Sequence, residues 1–145
     1  MGWLDRLKTA IGGGGGVVGT WPSDQFSTVR DLVHAGLSRF ENSRARNGGW
    51  VSVWIHNAKG KELGVIQYAG DGIINLCSRD DIDLAALLRS GGHEALASRC
   101  DERDSAMFAL QNPTLDEVAL AIDLVIGLAY AENEGGRVMV EIDPG

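Results

Sequence analysis

Histidine, cysteine and clustered carboxylates are the side chains of this chain that could do chemistry, and their spacing limits which chemistry is open. The histidines are His34, His56 and His93, and the cysteines are Cys77 and Cys100. A tetrahedral zinc site needs four converging ligands, usually announced by spacings such as C-x2-C or H-x3-H. No His or Cys pair has such a spacing, and His93 and Cys100 stand seven residues apart. No local setting lowers the pKa of either thiol, so both read as ordinary buried cysteines. Two acidic clusters stand at Asp80-Asp81-Asp83 and Asp101-Glu102-Asp104. A calcium loop would need alternating oxygen ligands, a central glycine and a bidentate glutamate. The first cluster instead runs into an apolar helix and reads as Asp80-Asp81 capping it. The second is interleaved with Arg99 and Arg103 and reads as local charge pairing. No nucleophile–base constellation is present. The expectation is therefore no catalytic residue, no cofactor and no metal, with a small enzyme of unknown reaction as an alternative.

Aromatic residues carry a sharper signal. Over Trp50–His56 the side chains alternate, with Val51, Val53 and Ile55 on one face and Trp50, Ser52, Trp54 and His56 on the other. Both faces of this strand are partly apolar. With helices on one side of the sheet, the second face needs a cover: a dimer partner, an N-terminal arm, a bound peptide or loops of the same domain. Trp50, Trp54 and His56 are thus candidate partner-binding residues, together with Trp3, Leu4 and Leu7 of the arm.

The elements that position these residues follow from the pattern. Met1–Ile11 is a short amphipathic piece with Trp3, Leu4, Leu7 and Ile11 at helical spacing. It lacks the apolar core and cleavage site of a secretory signal, and Arg6 stands where a myristoylation motif needs Ser or Thr. Gly12–Gly16 lacks the Lys-Ser/Thr of a phosphate loop and reads as a linker. Residues 1–16 are therefore expected to be a flexible arm and linker, and 17–145 a single domain. A helix is expected from Ser23, after the Trp21-Pro22 break, with Phe26, Val29, Leu32, Val33, Leu37 and Phe40 as its stripe. Trp50–His56, Glu62–Tyr68 and Ile73–Cys77 predict a three-stranded meander, turning at Asn57–Gly60 and Gly70-Asp71-Gly72. A helix with Ile82, Leu84, Ala85, Leu87 and Leu88 follows, then a helical turn through Glu94–Ser98 and a strand over Ser105–Gln111. Thr114-Leu115-Asp116-Glu117 is a capping box by spacing and opens the last helix, and Arg137–Ile142 closes the chain as a strand. The predicted order is α-β-β-β-α-β-α-β, an α+β domain with a mostly antiparallel sheet and helices on one face.

Composition narrows the function classes. The chain has 145 residues, 44% of them hydrophobic and 23% charged, which suits one globular domain with a proper core. Two cysteines make no disulfide framework and suggest a reducing cytoplasm. No run of 18 apolar residues exists to span a membrane. Residues 1–50 hold six Lys/Arg against four Asp/Glu, whereas 51–145 hold seven against sixteen, giving +2 and −9 and the total of −7. Such an acidic surface repels phosphate backbones, so nucleic-acid binding is not expected, and it favours protein partners.

The leading helix, the segment GVIQYAGDGIINLCS at 64–78 and the late helix TLDEVALAIDLVIGLAY at 114–130 together resemble the type III secretion chaperone-like fold, including its TY-Chap domains, over about residues 23–142. The resemblance implies a small, acidic, non-catalytic bacterial protein. It would be a cytoplasmic homodimer that holds a segment of a partner protein. A competing expectation is an immunity protein that neutralises a polymorphic toxin, since SAMFALQNPTLDEVALAIDLV at 105–125 looks like the strand–helix–strand ending of such proteins.

Overall fold

The structure is a computed structural model that describes residues 16–77, 79–104, 106–130 and 134–144. Seven strands form one sheet: β1 (Gly16–Trp21), β2 (Trp50–His56), β3 (Glu62–Tyr68), β4 (Ile73–Asn75), β5 (Cys100–Asp104), β6 (Met107–Leu110) and β7 (Arg137–Asp143). The helices are α1 (Val29–Glu41), α2 (Leu84–Ser90), α3 (Glu94–Ala97) and α4 (Leu115–Ala129), with a 3-10 turn at Arg44–Arg46. The strand order is β1-β7-β2-β3-β4-β6-β5 and every pairing is antiparallel. The α+β class expected from the sequence is the class observed, with two further strands, β1 and β5.

The core lies between one sheet face and the helices. Val51, Val53 and Ile55 of β2 join Ile66 and Tyr68 of β3, Ile74 of β4, Phe108 of β6 and Val138, Val140 and Ile142 of β7 in a single cluster. From the helices come Leu32, Val33, Leu37 and Phe40 of α1, Leu84 and Leu88 of α2, Leu96 of α3, and Val118, Ile122 and Val125 of α4. Burying large apolar side chains contributes about 1.5–3 kcal/mol each, so this layer holds the sheet to the helices. Gly36 brings α1 onto the sheet: a Cβ there would lie 2.5 Å from Val140 Cγ1. At the β3–β4 turn Gly70, Asp71 and Gly72 all take positive φ, and Gly72 has no room for a side chain against the Leu110 carbonyl.

Two helix starts differ from expectation. The first helix begins at Val29, with Thr28 rather than Ser23 as its cap; the Thr28 hydroxyl accepts from the Asp31 N–H at 3.0 Å. Phe26, which fits the apolar spacing, lies before the helix, and its ring sits where a side chain on Gly19 would go. At α2 the cap is Asp83, not Asp80-Asp81, and its carboxylate accepts from the Ala86 N–H at 3.1 Å. The last helix is capped as the spacing predicts, with Thr114 and Glu117 accepting each other's backbone protons.

Candidate functional site

The antiparallel registers place a row of residues on the sheet face turned away from the core. Trp54 of β2 is flanked by Met139 of β7 and Val65 of β3, and Met139 is flanked by Thr20 of β1. One row on, Ser52 lies between Glu141 and Gln67, which continues through Asn75 to Met107. Trp50 pairs with Asp143, and His56 with Arg137 and Glu62. The core cluster takes its residues from the opposite face, so among the described residues no helix contributes a core side chain here. Trp50, Trp54 and His56 therefore share one face, as alternation predicts, and are half-buried. Trp3, Leu4 and Leu7 lie outside the described residues.

The centre of this face is polar in a fixed way. Trp54 Nε1 donates to Glu141 Oε1 at 2.6 Å, and Ser52 Oγ donates to Asp143 Oδ2 at 3.1 Å. Both carboxylates of β7 are thus oriented by donors on β2. Beside them on β2 and β7 stand Trp50, Trp54 and Met139, with Val65 next to Trp54 and Met107 four strands from Glu141 on the same face. Met139 is only 1% exposed, although it belongs to the face opposite the helices. The Trp50 indole N–H is also buried, and among the described residues no acceptor reaches it. At the far side Cys77 donates its thiol proton weakly to Gln67 Oε1 at 3.5 Å, and burial pushes that thiol up from its ordinary pKa. Glu141, Asp143, Gln67 and Met139 were not singled out from sequence. Their alternation within β7 and β3 is readable, but the β7–β2 pairing that brings them together joins residues about 90 positions apart.

The remaining candidates are occupied by structural work. His34 Nε2 contacts Asp116 Oδ1 at 3.1 Å, tying α1 to α4. His93 precedes α3 without a side-chain cap bond. Asp81 holds Arg79 through two bonds of 2.8 and 3.0 Å, and that guanidinium lies 4.9 Å from the Tyr130 ring centre. Asp101, Glu102 and Asp104 lie exposed on β5, an edge strand of the sheet. Arg99 does not pair with them: it donates to the Gln111 and Asn112 carbonyls and to Glu117. Burial, with Asp101 and Asp83 adding to it, pushes the Cys100 thiol up to about 11, which keeps it protonated and weakly nucleophilic at neutral pH. Among the described residues no three His, Cys, Asp or Glu side chains converge to hold a metal ion. No described helix is long and apolar enough to cross a membrane. Comparison with protein-family models, curated proteins and solved structures finds no match.

Proposed function

We propose that this chain is a non-catalytic, chaperone-like protein-binding module that holds a segment of a partner protein on the helix-free face of its sheet, in the cytoplasm. The observation that carries this reading is the grouping of Trp50 and Trp54 beside the oriented carboxylates Glu141 and Asp143, with Val65 next to Trp54 and Met107 at the far end of the same face. Aromatic and methionine side chains suit a partner contact, because they bury large area at modest entropy cost and adapt to varied side chains. Self-association is assigned to the other side of the molecule, where Leu128 of α4 is 55% exposed. A photo-crosslinking residue at Gln67, on the face, is compared with one at Lys59, exposed in the β2–β3 turn. The expected result in the native cell is a partner adduct from position 67, absent from position 59 and lost on Trp54→Ala. Equal adducts at both positions, or none at 67, would sink the reading.

A second reading, an immunity protein that neutralises a basic toxin, is favoured by the exposed Asp101, Glu102 and Asp104 on edge strand β5. Charge reversal at Asp101 and Glu102 separates the two. It abolishes partner capture in the immunity reading and leaves it intact in the chaperone-like one.

A further inference from the structure

Helix α4 is apolar on its outer side as well as its inner one. Its charged residues are Asp116, Glu117 and Asp123, and none is basic. Val118, Ala119, Ala121, Ile122, Val125 and Ile126 are buried against the core. Leu120, Leu124 and Leu128 recur every fourth residue on the opposite side, the first two half-buried and the last exposed. The end of α2 borders this row, since a Cβ on Gly91 would lie 3.4 Å from the Leu124 methyls, and α1 borders α4 through the His34–Asp116 pair. A Cβ on Gly127 would meet nothing within 4 Å, so the row faces outward. A helix that is apolar all round is ordinarily covered on every side.

Asp123 stands next to this row, three residues from Leu120 and four from Gly127, and is half-buried. Burial pushes its carboxyl up from the ordinary range, and Arg30 of α1 draws it part of the way back. Among the described residues no ion pair or hydrogen bond reaches the Asp123 carboxylate, and the exposed Arg30 is equally unengaged. The other carboxylates of α4 are taken, Asp116 by His34 and Glu117 by Arg99. A desolvated carboxylate gains most from a cation that is bonded to it rather than merely near it.

Two copies of one chain meet symmetrically when residue i of each touches residue j of the other. This face carries one charge of each sign at the α1–α4 seam, both unengaged, so a second copy satisfies both at once. The leucine row also reads the same in either direction. Two antiparallel α4 helices set Leu120 of each copy against Leu128 of the other, with Leu124 against Leu124 at the centre. We propose that the α1–α4 seam is a two-fold interface with a second copy of this chain, in which Arg30 of each copy pairs with Asp123 of the other and the leucine rows pack together. The proposal rests on the reading of the helical side as the self-association surface and names the residues that would form it.

The test measures sedimentation of Arg30→Asp and Asp123→Arg, singly and as an equimolar mixture, beside the native chain and Leu128→Lys. Each charge variant alone sets like charges together twice per dimer, so its dissociation constant is expected to rise by more than about tenfold. In the mixture one copy is basic at both positions and the other acidic at both. Dimers are expected to return there, as heterodimers in native mass spectrometry. A pair made within one chain gives no such rescue. A mixture that stays monomeric, or single variants that dimerise like the native chain, would overturn the interface. A dimer dissociated by Leu128→Lys but not by Arg30→Asp keeps the helical side as the self-association surface and rejects this pairing; a native chain that is monomeric at high concentration rejects both. Arg30 lies exposed in the first turn of α1, where an acidic side chain suits the helix dipole and leaves the fold intact. The mixture is repeated with Asp123→Lys in place of Asp123→Arg, so that a folding defect in one variant does not decide the result.

Discussion

Trp54 does two things at once: its ring belongs to the apolar part of the sheet face, and its N–H fixes Glu141. Trp54→Phe keeps most of the ring and removes the donor. Hydrogen bonds to charged groups are worth about 1.5–3 kcal/mol, and partial exposure places this one near the lower end. The expected loss is about 1.5 kcal/mol in urea denaturation, and an unchanged midpoint would count against the pairing. Cys100 gives a second residue-scale prediction. Its thiol ordinarily ionises near 9.0 but is pushed up to about 11 in the fold. Between those values the unfolded chain has released its proton and the folded chain has not, so stability falls as pH rises through that window. The contribution is fully present below pH 9. The melting temperature of the native chain should therefore drop more steeply between pH 8 and 11 than that of Cys100→Ala, and parallel slopes would exclude the effect. Both cysteines were read as ordinary thiols from sequence, and although Arg99 directly precedes Cys100, partial burial pushes both thiols up. The Asp83 contribution at Cys100 was not legible, since it comes through space from the start of α2.

At the scale of elements, the capping box of α4 is the clearest case of a local signal surviving into the fold. Thr114 Oγ1 accepts from the Glu117 N–H at 3.1 Å, and Glu117 Oε1 accepts from the Thr114 N–H at 3.0 Å. Thr114→Ala is expected to cost about 1 kcal/mol by chemical denaturation; an effect near zero would show that Arg99 alone holds Glu117 in place. The meander was legible for the same kind of reason: β2 sets Val51, Val53 and Ile55 on one face, and the turns that follow β2 and β3 carry Asn-Ala-Lys-Gly and Gly-Asp-Gly. The two missed strands lack that local signature. In β1 the register shifts between Val17 and Gly19, which breaks the alternation. In β5 the sequence Cys-Asp-Glu-Arg-Asp offers four consecutive charges, which suit an exposed edge but look like a loop. The late start of α1 has a tertiary cause, since Phe26 is drawn onto Gly19 of β1 instead of joining the helical stripe. The candidate face was half legible: β2 displayed its own tryptophans, while the β7 carboxylates became part of it only through long-range pairing.

For the molecule as a whole, one sheet face is committed to the core and the other carries the proposed partner site, which leaves the helical side for the proposed self-association. Leu128 stands out there, and Leu128→Lys is expected to shift the protein toward monomer in sedimentation without lowering its melting temperature. A native chain that sediments only as monomer at high concentration would remove the dimer from the proposed function. The strand order has a further consequence, in time rather than space. Among the described residues β7 is the last strand in sequence, lies between β1 and β2 and is the only strand paired with β1. During synthesis at about 5–20 residues per second, roughly 6–23 seconds separate the emergence of Trp21 from that of Arg137. Throughout that interval β1 has no strand to pair with and one edge of β2 stays open. A nascent chain therefore carries unsatisfied strand edges on β1 and β2 until β7 is made, and this is the stage at which a ribosome-associated holdase would have the most to protect.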